Sequence, residues 1–228
     1  MGRKLATWLR SGNPAGPGEI HRAGNGFYLH AMWNARYDSP EYAYGTEPND
    51  FLAAVASRIP PGRVLSLADG EGRNGVFLAS IGHEVTSVDA SHVGLAKAER
   101  LAATRGVRLT TVVADLAEYV IAPASWEGIV SIFCHLPPVL RRRVHEQVVR
   151  GLVPGGIFIF EAYSVEQLRF GTGGPSSADL LPTLDALRAE LAGLDLLHAA
   201  EIEREIHEGT LHNGQSAVVQ VVARRPAA

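Results

Sequence analysis

Residues 67–79 read LADGEGRNGVFLA. Gly70, Gly72 and Gly75 stand there in the G-x-G-x-x-G spacing with which many dinucleotide enzymes turn from a strand into a helix around a pyrophosphate. The preceding RVLSLA (63–68) is a short apolar run of strand type, and RNGVFLASIG (73–82) carries apolar residues at helical spacing and stops at Gly82. A strand, a glycine turn and a helix are therefore expected, and what the turn holds is the deciding question.

Working outward, the chain alternates between the two periodicities. EPNDFLAAVASRI (47–59) predicts a helix capped by Pro and Asn and broken by Pro60-Pro61-Gly62. HEVTSVD (83–89) predicts a strand ending on Asp89, and Ser91 caps a long helix, SHVGLAKAERLAATRG, that Gly106 stops. VRLTTVVADL (107–116) and GIVSIF (128–133) are the next strands. PPVLRRRVHEQVVRGL (137–152) is an amphipathic helix, and IFIFEAY (157–163) is apolar throughout, as a buried parallel strand is. After a glycine-rich loop and a helix (171–194) come LLHAAEIEREIHEG (196–209) and SAVVQVVARR (216–225), read as an antiparallel hairpin turning at Asn213-Gly214. The expected architecture is a doubly wound, Rossmann-like α/β sheet, mostly parallel, that ends in an antiparallel hairpin.

Composition narrows the partners. A net charge of −3 and 20% charged residues in 228 leave no basic face of the kind nucleic acid needs. The one dense basic run, Arg141-Arg142-Arg143, reads as a solvated helix face. No apolar stretch approaches a membrane span, and a single cysteine, Cys134, excludes a disulfide framework and a cysteine zinc site. A cytoplasmic location and no metal are expected. Residues 1–30 lack a signal-peptide core and read as a flexible extension, with 31–228 as one domain whose segment 31–50 forms a lid.

The glycine turn is read through three features. Only one βαβαβ half precedes the hairpin, LVPGGIFIFE introduces the fifth strand, and Asp89 and Asp115 close the second and third strands with no Arg or Lys following to meet a phosphate. Together with MWNARY, YGTEPNDFL, GEGRNGVFLA, SVDAS and VVADL, in that order, they resemble the class I S-adenosylmethionine-dependent methyltransferases over roughly residues 32–225. Within that class the similarity is to the small-molecule branch of tellurite-resistance and thiol methyltransferases.

That resemblance implies S-adenosylmethionine as cofactor and a small-molecule acceptor, with the oligomeric state left open. It assigns cofactor contact to Asp69, Gly70, Glu71, Gly72, Asn74, Asp89, Ala90, Asp115, Leu116 and Phe133, with Asp89 on the ribose hydroxyls and Asp115 and Leu116 beside the base. The acid and glycine that usually open the loop are replaced by Ser66 and Ala68, and Asp69 or Glu71 is expected to substitute as the brace for the cofactor's ammonium group. His135 and Tyr163, after the fourth and fifth strands, are the candidate bases or orienters; a helix-capping role for His135 weighs equally. Trp33, Tyr37 and Tyr44 are expected in the lid, which would exclude water, or in an aromatic seal on the sheet edge. A second lid is expected at RFGTGGPSS (169–177), where Arg169 receives an anionic acceptor or is merely solvated. The expected reaction is methyl transfer to a thiol or other soft nucleophile. Transfer to oxygen or nitrogen, a nicotinamide oxidoreductase and a non-catalytic cofactor-binding module stay open as alternatives.

Overall fold

The computed structural model describes residues 26–227, so the greater part of the expected extension, residues 1–25, lies outside the described residues. Helix α1 (Gly26–Tyr37) runs across the boundary drawn at residue 30, and α2 (Asp50–Val55) follows, its first turn closed by Asn49, whose side chain accepts the Leu52 amide. Then come β1 (Arg63–Leu67), α3 (Arg73–Ser80), β2 (Glu84–Asp89), α4 (His92–Thr104), β3 (Thr110–Val113), β4 (Trp126–Ile132), α5 (Pro138–Gly151) and β5 (Leu152–Tyr163). Short turns at Val165–Arg169 and Ala178–Leu180 lead to α6 (Leu184–Glu190), β6 (Asp195–Glu208) and β7 (His212–Arg224).

The seven strands form one sheet in the order β3-β2-β1-β4-β5-β7-β6. The first five run parallel; β7 lies antiparallel to β5 and β6 antiparallel to β7. Alternation along the strands divides the core between two faces. Leu65, Leu67, Ile129, Phe158 and Phe160 pack with Val144 and Val148 of α5 and Leu187 of α6. Val64, Val130, Ile157 and Ile159 pack on the other face with Leu52 of α2 and Leu78 of α3. Among the described residues no helix is long and apolar enough to cross a membrane.

Three expectations are corrected by packing. The hairpin turns at Gly209, with Asn213 and Gly214 lying inside β7 opposite His207 and Ile206. Gly209 sits in the left-handed region at φ +68°, and a Cβ there would stand 2.4 Å from the Ala43 carbonyl oxygen, so the tight turn goes where only glycine fits against the lid segment. Arg141 is not solvated: it is buried and held by Glu190 of α6, which also accepts from His145. Third, β3 stops at Val113, so Asp115 lies beyond the strand, opening a turn in which its carboxylate accepts the Ala117 amide at 2.8 Å.

Candidate active site

The glycine turn sits at the carboxyl ends of the parallel strands, where ligands of open α/β sheets bind. Ala68, Gly70 and Gly72 all take positive φ, at +51°, +57° and +86°. The expected departure at Ala68 is thus a left-handed position occupied by an L-residue, at a cost of about 1–2 kcal/mol. Asp69, between these residues, turns inward. Its Oδ1 accepts from Ser66 Oγ at 2.7 Å and the Gly75 amide at 3.1 Å, and its Oδ2 from Ser87 Oγ at 2.6 Å. A Cβ on Gly75 would stand 2.3 Å from Asp69 Oδ2, so the third glycine makes room for this buried carboxylate.

Asp69 therefore caps the start of α3 with negative charge. A pyrophosphate would need that helix end open and cationic. The nearby cations are also engaged, Arg73 with Glu208 at 2.5 Å and Lys97 with Glu71. The loop is built against a phosphate ligand, and the nicotinamide reading loses its support. Asp69 and Glu71, expected to brace the cofactor's ammonium group, are both committed within the protein: Glu71 also accepts the Tyr44 amide, while Lys97 donates to the Ser39 and Glu41 carbonyls at 3.0 and 2.6 Å.

Asp89 closes β2 with its carboxylate over the loop. Oδ2 accepts the Gly70 amide at 2.8 Å and Oδ1 the Ser91 amide at 2.7 Å. A carboxylate has about four acceptor positions, so two stay open for the hydroxyls of a ribose. Burial pushes Asp89 up to about 6, against the pull of its two amide donors. Asp115, half-buried, keeps a second oxygen for a further donor. Ala90 presents its carbonyl to His30 of α1. Asn74 and Leu116, also expected at the cofactor, have partners within the protein. Asn74 accepts the Asn49 amide at 2.9 Å, and Leu116 belongs to the main apolar core.

Residues of the expected lid segment pack on the glycine turn. Trp33 stacks on Tyr37 with ring centroids 5.7 Å apart, and a Cβ on Gly70 would meet the Tyr37 hydroxyl at 2.6 Å. Tyr37 is buried, and burial raises its phenol well above the ordinary range, so it stays protonated. Tyr44, which receives Arg36 Nη1 on its hydroxyl, carries the cover onward to His212 at 4.6 Å.

Beside the cofactor end lies a group of rings from four parts of the chain. Phe133, at φ +52° just past β4, stands 4.7 Å from Tyr163 of β5 and 4.7 Å from His212 of β7. His135 stacks on Tyr163 at 5.7 Å, and Tyr163 meets His212 edge-on at 5.2 Å. His135 Nδ1 lies 3.3 Å from the Leu180 carbonyl, which only accepts, so Nδ1 carries the hydrogen and Nε2 the lone pair. That Nε2 is buried and has no partner among the described residues, and burial lowers His135 to about 4. Burial raises Tyr163, keeping it a phenol. Glycines of the expected second lid close over it, a Cβ on Gly174 standing 2.5 Å from the Tyr163 ring. Arg169 is not brought in: it is exposed and pairs with Glu166 and Glu203 on the surface.

Sequence reasoning missed His212 and a buried polar network below the rings. His212 was read into the hairpin loop, and the shifted turn moves it onto a strand. In the network Asn49 donates to Glu161 at 2.5 Å and to Glu208 at 2.8 Å. Arg204 holds both oxygens of Glu161 at 3.0 and 2.9 Å, and Gln220 donates to Glu161 at 2.6 Å. These bonds tie α2, α3, β5 and the hairpin together beneath the site. The only advance signal was the cluster of polar residues in otherwise apolar strands.

Residues 64–156 match the model of a methyltransferase domain family. No curated protein matches the chain in sequence. Among solved structures the fold is similar to that of the protein studied in the conversion of a disulfide bond into a thioacetal group during echinomycin biosynthesis, with TM-score 0.72, 18% identity, and coverage of 87% of this chain and 92% of that one. It is also similar to the [4+2]-cyclase SpnF, with TM-score 0.66, 16% identity and coverage of 90% and 98%. TehB from Haemophilus influenzae is a third, with TM-score 0.64, 19% identity and coverage of 86% and 66%. Residues 64–156 are thus matched in sequence by a methyltransferase domain family, and the seven-stranded sheet has the architecture of the class I methyltransferase fold.

Proposed function

We propose that the acceptor is a small molecule with a soft nucleophile, a thiol in the first instance. S-adenosylmethionine, when bound, supplies an electrophilic methyl group on a sulfonium. Asp89 would hold the ribose hydroxyls, Asp115 the adenine amine, and the Gly70–Gly72 turn lets the backbone approach the methionyl part. Trp33, Tyr37 and Tyr44 keep water from the site, and holding both reactants in line accounts for about 7–11 kcal/mol of the barrier.

The observation that carries the acceptor class is His135. Its Nε2 lone pair lies buried among rings, and with the group lowered to about 4 it is a weak base. A site with so weak a base suits an acceptor that is nucleophilic before its proton leaves. A neutral thiol is, and with a pKa of about 8.5 it also ionises appreciably near neutrality. A hydroxyl is a poor nucleophile until deprotonated, and an alkylammonium, near 10.4 for a lysine side chain, would have to surrender its proton first.

The test is a panel of thiophenol, ethanethiol and sulfide beside phenol, ethanol and ethylamine, read as S-adenosylhomocysteine formed. Thiols are expected to exceed their oxygen and nitrogen counterparts in kcat/KM by at least about tenfold. A panel led by phenol, ethanol or ethylamine establishes the oxygen or nitrogen reading instead.

A further inference from the structure

Two imidazoles flank Tyr163, one against its face and one against its edge, and they arrive from opposite ends of the sequence logic: His135 follows β4, and His212 opens β7. Each carries a buried nitrogen with no partner among the described residues, Nε2 on His135 and Nδ1 on His212. A buried polar atom left unpaired costs about 1–3 kcal/mol, and native proteins keep few of them. Two on neighbouring rings of one cluster point to a ligand that meets both.

The rings leave little room for a charge on that ligand. Phe133, Tyr44 and Tyr163 line the cluster, and His212 is held neutral by burial first and then by Arg73, His135 and Arg36. The hairpin position of His212 is itself enforced. Gly209 turns the chain against Ala43 and Tyr44, and Thr172 of the glycine-rich loop anchors to Gln215 at 2.7 Å.

We propose that His212 is an acceptor-binding, specificity-determining residue, and that the acceptor is a small uncharged thiol bearing a second hydrogen-bonding group, its sulfur at His135 and its second polar group at His212. This rests on the thiol reading above. As the acceptor's sulfur gains the methyl carbon it loses its proton to His135 Nε2 and thence to water, and the electron pair of the broken sulfonium bond stays with the departing thioether. His212 takes no part in that proton's path. It selects, because a site built to hydrogen-bond a substrate hydroxyl disfavours the analogue that leaves its buried group unpaired.

The experiment compares 2-mercaptoethanol with 1-propanethiol, which replaces the hydroxyl by a methyl group of similar size. Both are measured as substrates, and both as ligands of the protein saturated with S-adenosylhomocysteine, by calorimetry. Wild type is expected to favour 2-mercaptoethanol by at least about tenfold in kcat/KM and in affinity. In His212→Phe, which keeps a ring against Tyr44 and Phe133, that preference is expected to fall below about threefold, while His212→Gln retains part of it. Unchanged thermal melting and S-adenosylhomocysteine affinity in both variants separate selection from misfolding; if His212→Phe does not fold, His212→Leu, which also removes the polar atoms, takes its place. Methylation of both thiols at equal efficiency, or a preference that survives both substitutions, overturns the proposal and leaves the thiol reading intact. Preferential binding of 2-mercaptoethanol without methylation upholds the site and overturns the thiol reading. Failure of both thiols to bind or react overturns both.

Discussion

The carboxylate of Asp69 accepts the amide of Gly75 at 3.1 Å, and this bond separates the glycine turn from the phosphate-binding loops whose spacing it shares. Helix α3 begins on a buried anion of the protein's own. Asp69→Ala leaves that amide and the hydroxyls of Ser66 and Ser87 without their acceptor, and at about 1–3 kcal/mol for each unpaired group the loss is expected to reach at least about 3 kcal/mol. Urea denaturation measures it. A variant as stable as wild type would show that the cap is dispensable.

Ala68 holds φ +51° where glycine would be free to do so. Ala68→Gly removes about 1–2 kcal/mol of steric cost, and the greater freedom of glycine in the unfolded chain returns about 0.5–1. Stability is expected to rise by up to about 1.5 kcal/mol, read as a higher urea midpoint with an unchanged slope. A lower midpoint contradicts the strain.

Arg204 binds two buried carboxylates, Glu161 at 3.0 and 2.9 Å and Glu208 at 3.3 Å. Arg204→Met leaves Glu161 with only the neutral donors Asn49 and Gln220, while Glu208 keeps Arg73, and a buried charge that loses its ion partner costs about 3–5 kcal/mol. The double variant with Glu161→Gln is expected to lose less than the two single losses added together. Strict additivity in thermal unfolding would mean that the pair does not couple.

Asp89 sets a pH dependence with opposite signs for folding and for binding. Its pKa in the folded chain, about 6, stands above the ordinary carboxylate value because burial disfavours the charge. Its contribution to stability is therefore present in full below about pH 4 and is lost as pH rises through about 6. In the proposed ribose contact Asp89 is ionised and accepts from both hydroxyls, so binding there needs the charged form. Affinity for S-adenosylhomocysteine is expected to be level from pH 7 to 8 and to fall towards tenfold per unit below pH 6. Calorimetry across pH 5 to 8 checks this, and a flat profile removes Asp89 from the ribose contact.

Much of the architecture is determined by the residues in order. Period-two and period-3.6 patterns, with glycine and proline between them, suffice for the parallel strands, the helices and the closing hairpin, because each pattern satisfies its own backbone and buries one face. The strand-end carboxylate of Asp89 and the glycine turn were legible for the same local reason. Which way a carboxylate points was not. Asp69 and Asp89 lie in the same kind of segment, yet Ser66, Ser87 and Gly75 draw the first inward while amides of Gly70 and Ser91 hold the second over the loop. Nor was the Asn49 amide legible as the partner of Asn74, or the apolar core as the surroundings of Leu116. His212 joined the site only because Gly209 alone fits against Ala43, which moved the turn and put the histidine on a strand beside Tyr163. Local preference chooses the elements, whereas the partners of a buried polar group come from residues distant in the chain, and those are chosen by the tertiary structure.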